Sequence, residues 1–225
     1  MGPRKDAQAL MATPREEPYI WVTWLSKLLG GEAHCEWALW FRVHNRYDKR
    51  SDEFDLAAWK ATHGERVRVR AERLRADGYE VFVEEQNWFK LPGKSAILGG
   101  KPDIVAVSTK EALVVDCKTG EPRNSDRLQV LTYMLVLPFV HAACKGRVLS
   151  GEVRYTDRAA TIPAEHLTEE LRNLIRRTIE RAAGDMPTQK VPSYGECRFC
   201  DIGSVDCPER IDAEPPLTAP THDLF

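Results

Sequence analysis

Two apolar runs in the middle of the chain each have charged residues at one end. The first run follows Pro102-Asp103, and the second leads into Asp116-Cys117-Lys118. Both runs are short and rich in Val, Ile and Ala, which predicts buried strands. A charge at the end of a buried strand is tolerated mainly when it is paired or when it holds a metal ion. The two runs therefore predict neighbouring strands that end at a metal-dependent hydrolytic site.

The alternation of a strand places Asp116 and Lys118 on one face and turns Cys117 into the opposite, packed layer. Asp103 begins the adjacent strand, so we expect it to converge on the same point. Carboxylate oxygens suit Mg²⁺ or Mn²⁺, and the backbone carbonyl of Cys117 is a further candidate ligand. An ion held there would polarise a phosphate and activate water, with Lys118 orienting that water or stabilising charge. Taken alone, the same residues also fit a surface Asp, a helix-capping Asp and an ordinary Lys.

The periodicity of the rest of the chain predicts an α/β (α+β) core with a central mixed sheet flanked by helices. Predicted helices cover 18–45 (two short helices, interrupted at Gly30-Gly31), 55–76, 124–137 and 163–183, and predicted strands cover 79–85, 102–108, 112–118 and 147–155. We divide the chain into a flexible N-terminus (1–17), an N-terminal helical lobe (18–54), a core (55–185), a Cys-rich segment (186–210) and a Pro-rich flexible tail (211–225).

Composition limits the classes of partner and the compartment. The 225 residues carry a net charge of −2, so nucleic-acid binding would need a local basic surface. No apolar run is long enough to span a membrane, and the first residues lack the apolar centre of a signal peptide. Six cysteines without secretory signals favour metal ligation over disulfides. We therefore expect a cytoplasmic protein that does not contact membranes.

A further pair of residues completes a recognisable pattern. Gln129 and Tyr133 are one helical turn apart, so they share a face of the predicted helix that follows Lys118. Together with Pro102-Asp103 and Asp116-x-Lys118, this spacing resembles the PD-(D/E)XK nuclease superfamily, and Gln-x-x-x-Tyr resembles its RecB-like branch. The resemblance implies a restriction-endonuclease-like core. It also implies that Asp103, Asp116, Lys118, Gln129 and Tyr133 are catalytic, with the Gln129–Tyr133 face contacting DNA or orienting Lys118.

The resemblance adds an upstream histidine. RecB-like nucleases carry a His on the helix before the strands, and here the match is His63. The resemblance implies that its imidazole completes the metal site with Asp103 and Asp116, although a surface His would show the same spacing. Glu84 and Glu85 end the first predicted strand and point to opposite faces, so at most one of them is expected to add a carboxylate to the site.

The cysteines form a second pattern. Cys197, Cys200 and Cys207 are spaced as C-x2-C-x6-C, and a fourth ligand must come from Cys35, Cys117 or Cys144. An N-terminal Cys with a C-terminal triplet resembles the iron–sulfur nucleases, namely the Cas-four family of CRISPR adaptation and AddB-type nuclease domains. The resemblance implies an iron–sulfur lobe in which Cys35, Cys197, Cys200 and Cys207 hold a [4Fe–4S] cluster. Zn²⁺ on the same thiolates is the alternative. This chain departs from the family in having Glu36 where Pro usually follows the first Cys, and in a longer final spacing.

Candidate DNA contacts are less specific. Arg66, Arg70 and Arg73 recur at helical spacing and would neutralise phosphates near the site, although Glu65, Glu72 and Asp77 would also fit a solvated helix face. Trp21, Trp24, Trp37 and Trp40 would either stack on unpaired bases or pack within the N-terminal lobe.

The combined interpretation is a Mg²⁺- or Mn²⁺-dependent DNA exonuclease that acts on single strands or frayed ends, in CRISPR spacer acquisition or in recombination and repair. The expected partners are DNA and either CRISPR integrase proteins or a helicase. The tail ends in Asp223-Leu224-Phe225, which resembles peptides that bind the bacterial sliding clamp. The alternatives are a non-catalytic DNA-binding adaptor of a nuclease or integrase complex, and a zinc-stapled protein.

Overall fold

The central sheet runs through the middle of the molecule in the strand order β10-β9-β8-β7-β4. A computed structural model describes residues 11–50 and 55–216 of the protein. Its strands are β1 (Thr13–Pro14), β2 (Tyr19–Trp21), β3 (Asn45–Arg46), β4 (Glu80–Val83), β5 (Phe89–Pro92), β6 (Ile97–Gly100), β7 (Ile104–Val107), β8 (Glu111–Cys117), β9 (Val148–Arg154) and β10 (Ala159–Ile162). Its helices are α1 (Val22–Leu29), α2 (Glu36–His44), α3 (Leu56–Ala76), α4 (Asn124–Val140), α5 (Glu169–Ala182) and α6 (Tyr194–Cys197).

The central sheet is mixed. β4, β7 and β8 pair antiparallel, whereas β8 and β9 pair parallel and are joined by α4. A parallel connection needs a long crossover, usually a helix, and α4 provides it. The predicted mixed α/β fold is therefore confirmed. β7, which follows Asp103, and β8, which contains Asp116, are neighbours inside the sheet.

Helices cover both faces of this sheet. On one face α3 packs Val67, Ala71 and Leu74 against Ile104 and Val115. On the other face lies the main core, where residues of α4 pack on alternate positions of the same strands. Every residue of β7 is buried between these two layers, which explains why the strand is apolar throughout.

A second, small sheet of order β2-β6-β5 was not predicted. β2 falls inside a stretch that was assigned to a helix because its aromatic and apolar residues run directly into α1. β5 and β6 form a short hairpin around Gly93, and their Pro92 and Gly99 are atypical strand residues. Pairing with neighbours, rather than local propensity, thus makes these segments strands.

Other boundaries also differ from the predictions. The helix expected from residue 163 begins at Glu169, where Thr168 accepts a hydrogen bond from the Leu171 backbone N–H. The preceding residues form β10 and a short 3₁₀ turn. Within the described part of the chain, no helix is both long and apolar enough to cross a membrane.

The Cys-rich segment packs against the N-terminal helices. The Trp37 backbone N–H donates to the Gln189 carbonyl at 3.0 Å, and the Trp40 indole N–H donates to the Gly184 carbonyl at 2.8 Å. Trp37, Phe41 and Ile202 form a small buried cluster between the two regions. These contacts bring residues far apart in the sequence to one end of the molecule.

Candidate active site

The two acidic positions of the sequence pattern meet at adjoining strand ends. Asp103 lies one residue before β7, and Asp116 lies near the end of β8, which pairs antiparallel with β7. The Cys117 backbone N–H donates to Asp103 Oδ2 at 2.6 Å, which ties the side chain of one strand to the backbone of the next. The antiparallel pairing therefore orients the Asp103 carboxylate toward Asp116.

Asp116 is a buried carboxylate, with only 3% of the residue exposed. Its Oδ2 lies 2.7 Å from Lys118 Nζ, and its Oδ1 accepts a hydrogen bond from Gln129 Nε2 at 2.8 Å. Burial raises the pKa of Asp116, against the opposing effect of Lys118, and Asp103 and Asp126 add to the rise. Further positive charge near Asp116 would favour its charged form, because an opposite charge lowers the pKa of a buried carboxylate.

Lys118 shares the Asp116 face of β8, as the alternation predicts. Its Nζ donates to Gln129 Oε1 at 3.0 Å. Burial acts to lower the pKa of Lys118, but its ion pair with Asp116 raises the pKa overall. The ammonium is therefore held in its charged form among carboxylates.

Gln129 links the lysine, the aspartate and a tyrosine on α4. The amide accepts from Lys118, and its Nε2 donates both to Asp116 and to the Tyr133 hydroxyl, at 3.3 Å for the latter. Tyr133 is 1% exposed, and burial raises its pKa, so the phenol is neutral. A Cβ at Gly100 would lie 2.8 Å from the Tyr133 ring, so the glycine leaves room for this tyrosine.

His63 reaches the site from α3. Its Nε2 lies 3.2 Å from Asp103 Oδ1, and this hydrogen bond is the main reason that the pKa of His63 is raised. The Trp59 ring stacks on the imidazole with centroids 4.9 Å apart, and the Trp59 indole donates to Thr119 Oγ1. The helix face therefore fixes the ring of His63 against Asp103.

Two residues of the site were missed by the sequence analysis. Asp126, on the first turn of α4, lies with Oδ1 3.6 Å from Lys118 Nζ. Tyr155, just after β9, donates its hydroxyl to Asp126 Oδ2 at 3.0 Å. The only sequence signal for Asp126 is its position one turn before Gln129, and Tyr155 carries none because its partner is distant in the chain.

Glu84 and Glu85 were predicted to end the first strand, but β4 ends at Val83 and both glutamates lie in a 3₁₀ turn, Glu84–Asn87. Glu84 adopts a left-handed backbone conformation (φ 45°) and contributes to the raised pKa of His63. Glu85 pairs with Lys101 at the surface, at 2.6 Å. Backbone strain of this kind gathers at functional sites, and Glu84 is the one of the pair that faces the site.

The α3 arginines have different surroundings. Arg66 donates to the Lys118 carbonyl at 3.0 Å, and Arg70 forms a two-fold contact with Glu152 of β9 at 2.9 and 2.6 Å. Arg73 is exposed. Arg66 and Arg70 thus hold α3 onto the sheet, and their contact with DNA stays a prediction.

The donor types near Asp116 fit a hard divalent cation. Carboxylate oxygens, a carbonyl and one imidazole are ligands that Mg²⁺ and Mn²⁺ accept, and the buried carboxylates outnumber the one lysine among them. Across residues 11–50 and 55–216, however, no group of three or more His, Cys, Asp or Glu side chains is placed to hold a metal ion. The ligand roles of His63, Asp103, Asp116 and the Cys117 carbonyl remain predictions.

The cysteines sort into two groups by location. Cys117 and Cys144 are buried in the two cores beside the central sheet, whereas Cys35, Cys200 and Cys207 pack against the Trp37–Ile202 cluster. Cys197 and Cys200 both contribute to the raised pKa of Cys207, after the larger effect of burial. Cys35, Cys197, Cys200 and Cys207 therefore gather at one end of the molecule.

Nitrogen donors approach two of these sulfurs. The Val191 backbone N–H donates to Cys35 Sγ and Arg42 Nη2 donates to Cys200 Sγ, both at 3.5 Å. Arg210 holds the intervening loop by donating to the carbonyls of Cys197, Cys200 and Ile202. Both Cys35 and Cys200 therefore have an N–H group within hydrogen-bond distance of the sulfur.

Comparison with known proteins shows one family. The family model of the PD-(D/E)XK nuclease superfamily matches residues 25–208. A solved structure titled "Crystal structure of SSO0001" is similar at 20% identity and a TM-score of 0.48, over 88% of this chain and 90% of that chain. No curated protein matches the sequence. The matched range contains the site from His63 to Tyr155 and all of the gathered cysteines.

Proposed function

The chain belongs to the PD-(D/E)XK nuclease superfamily, and we propose that it is a Mg²⁺- or Mn²⁺-dependent DNA nuclease of the RecB-like, Cas-four type. The observation that carries this proposal is the connected set of Asp116, Lys118 and Gln129. The Gln129 side-chain amide hydrogen-bonds to both the Asp116 carboxylate and the Lys118 ammonium, which pair with each other at the end of β8. This set pairs a metal-binding type of group with a cation at one point, as phosphodiester hydrolysis requires.

We assign the role of each residue of the site from its contacts and from the family resemblance. Asp103 and Asp116 would hold the ion, with His63 and the Cys117 carbonyl as further ligands. Mg²⁺ or Mn²⁺, when bound, supplies a polarised phosphate and a bound water of lowered pKa. Lys118 stabilises the negative charge that develops on the phosphate, or orients the attacking water. Gln129 fixes the position of Lys118, and Tyr133 supports Gln129 from the core.

Loss of Lys118 tests this proposal. We expect Lys118→Ala and Asp116→Asn to lower kcat/KM on end-labelled DNA by about 100-fold or more, because each removes charge where the phosphate reacts. The matched control is Lys110→Ala, which removes an exposed lysine at the far end of the β7–β8 hairpin. Activity should require Mg²⁺ or Mn²⁺. Wild-type rates in Lys118→Ala with intact folding would contradict the proposal.

We further propose an exonuclease that acts on single strands or frayed ends. The resemblance to the RecB-like branch supports this, since the pattern Gln129-x-x-x-Tyr133 belongs to that branch. Linear single strands should be degraded to short products, while a closed single-stranded circle should persist. Cutting of the circle at the same rate would instead indicate an endonuclease.

We propose that Cys35, Cys197, Cys200 and Cys207 hold a [4Fe–4S] cluster, with Zn²⁺ on the same thiolates as the alternative. Support comes from the gathering of these residues beside Trp37 and from the N–H donors at the Cys35 and Cys200 sulfurs. The lobe would comprise 18–54 and 186–210, around a nuclease core of 55–185. The ends predicted to be flexible, 1–17 and 211–225, lie in part outside the described residues, whereas Thr13–Pro14 pairs with β3.

The biological setting is likewise a proposal. We place the protein in the cytoplasm, in CRISPR spacer acquisition with integrase proteins or in recombination and repair with a helicase, on the strength of the iron–sulfur nuclease resemblance. The proposed sliding-clamp contact through Asp223–Phe225 lies outside the described residues.

A further inference from the structure

The small sheet has two unlike faces. Ile20, Leu98 and Phe89 point inward and are buried in the main core. Because side chains alternate along a strand, the other residues share the outer face. Pairing aligns them in rows, since Trp21 and Lys90 both lie opposite Gly99 of the middle strand. The outer face is therefore defined by residues of β2 and β5, with glycine between them.

Aromatic rings occupy this outer face. Tyr19 and Trp21 pack edge to face with centroids 5.7 Å apart. The Tyr19 ring leans across the sheet onto Gly99, where a Cβ would lie 1.8 Å from the tyrosine hydroxyl. Trp88 precedes β5 on the same side and is 46% exposed. Gly99 thus lets the ring lie against the sheet, and a row of rings faces solvent.

Cations lie between the rings. Lys90 Nζ is 5.4 Å from the Trp88 ring centroid and 5.8 Å from that of Tyr19, and the Arg15 guanidinium is also 5.8 Å from the Tyr19 centroid. Within residues 11–50 and 55–216, neither Lys90 nor the nearby Lys94 of the β5–β6 turn has a carboxylate within ion-pair distance. The positive charge of these lysines is thus not neutralised by the fold.

The small sheet is joined to the candidate active site through its middle strand. β6, the middle strand of the small sheet, ends at Gly100, and three residues later the chain reaches Asp103. On the inner face, a Cβ at Gly100 would lie 2.7 Å from the Phe89 ring and 2.8 Å from the Tyr133 ring. The segment that follows the middle strand of the small sheet therefore carries the first acidic residue of the site.

We propose that the outer face of the small sheet, formed by Tyr19, Trp21, Trp88 and Lys90, is a binding platform for single-stranded nucleic acid. Bases stack on the aromatic rings, and Lys90 with its neighbours binds the phosphates between them. Rings interleaved with unpaired cations suit an unpaired strand, because a duplex keeps its base faces stacked inside. The proposal rests on the proposed nuclease function and identifies the strand type that reaches the site.

Binding without divalent metal tests the platform, because no hydrolysis is needed. The probe is a fluorescein-labelled oligothymidylate of about 16 nucleotides, followed by anisotropy. We expect Trp88→Ala to weaken binding about fivefold or more, because base stacking on one ring is lost, and Trp88→Phe to retain most of the affinity. Trp88 is exposed, and a thermal melt checks that each variant folds.

Salt dependence separates stacking from charge. We expect Lys90→Ala to reduce the slope of log affinity against log salt by about 0.7, and Trp88→Ala to leave that slope unchanged. The controls are Lys110→Ala, far from the platform, and Phe139→Ala, which removes a ring that is 75% exposed elsewhere. Wild-type affinity and slope in both platform variants would overturn the proposal, as would equal losses for the controls.

Hydrolysis distinguishes failure of the platform from failure of the nuclease. With Mg²⁺ or Mn²⁺, Trp88→Ala should lower kcat/KM on the oligothymidylate about fivefold or more but leave cleavage of bis(p-nitrophenyl) phosphate unchanged, since this substrate is too small to span the platform. If the wild type cleaves neither substrate, the nuclease proposal fails and the binding result stands alone. Normal cleavage with unaltered binding in the variants would overturn the platform only.

Discussion

Asp126 links Lys118 to Tyr155, the residue that follows the end of β9. Its two oxygens face Lys118 Nζ and the Tyr155 hydroxyl, and the carboxylate is buried. A carboxylate held from both sides restricts where the ammonium can lie. We therefore regard Asp126 and Tyr155 as positioning residues for Lys118, the residue that we propose acts on the phosphate.

Removing one hydroxyl tests this role. Tyr155→Phe should lower kcat by up to about tenfold with KM little changed, because Asp126 loses a charge-assisted hydrogen bond and holds Lys118 less firmly. Steady-state kinetics on a single-stranded substrate measure both constants. The control is Tyr79→Phe, a partly buried tyrosine packed beside α3. A fall in stability with kcat unchanged would leave Tyr155 a purely structural residue.

At the scale of elements, α4 is the helix that matters most, because Asp126, Gln129 and Tyr133 all lie on it. Its first turn is docked onto the end of α1. Glu32 Oε1 accepts a hydrogen bond from the Ser125 backbone N–H at 3.1 Å. Gly30 passes so close that a Cβ there would lie 2.6 Å from the same nitrogen. The N-terminal lobe therefore sets the position of α4.

Two glycine substitutions should change stability in opposite directions. Gly30→Ala should lower the free energy of unfolding by about 1–3 kcal/mol, because the new methyl group overlaps the Ser125 backbone. Gly64→Ala should raise it by about 0.5–1 kcal/mol, because Gly64 lies inside α3 and, apart from the adjacent helix backbone, no atom of the described residues lies within 4 Å of its Cβ position. Urea denaturation measures both values. Equal effects of the two substitutions would show that the close approach at Gly30 does not matter.

At the scale of the whole molecule, the two ends of the described chain are held together beside α2. Glu196 accepts from the His34 and Cys35 backbone N–H groups, and Arg42 pairs with Asp201 at 2.7 Å. These contacts join the N-terminal Cys to the loop that carries the other three. A cluster or Zn²⁺ held by all four would add covalent links to an interface that is already packed.

Replacing one cysteine tests this arrangement. Cys207→Ser should lower the bound iron or zinc and the melting temperature, because one ligand of the proposed centre is lost. Metal content and visible absorbance of protein purified without oxygen provide the measurement, and broad absorbance identifies iron–sulfur over zinc. Cys144→Ala is the control, since this buried cysteine lies in the main core. Equal metal content in wild type and Cys207→Ser would contradict the ligand assignment.

The predictable parts of the fold are those with local periodicity. The apolar runs of β7 and β8, the helices α3 and α4, and β9 all fall where alternation or helical spacing indicated, within a few residues. The small sheet and β10 were not predicted, because their residues become strands only by pairing with segments elsewhere. The spacing of Arg66 and Arg70 indicated a DNA-facing stripe, but spacing carries no information about Glu152, which pairs with Arg70 across the sheet.

The sequence by itself determined which residues match the nuclease pattern. Asp103, Asp116, Lys118, Gln129 and Tyr133 are recognisable because they match the family pattern, and strand alternation and one helical turn set the shared faces of the last four locally. Only the tertiary structure decided what surrounds them. Asp126 and Tyr155 approach Lys118 because α4 crosses between two parallel strands, and the row of rings on the small sheet arises because strands distant in sequence pair through Gly99. Contacts of this kind depend on packing between elements, which no local pattern encodes.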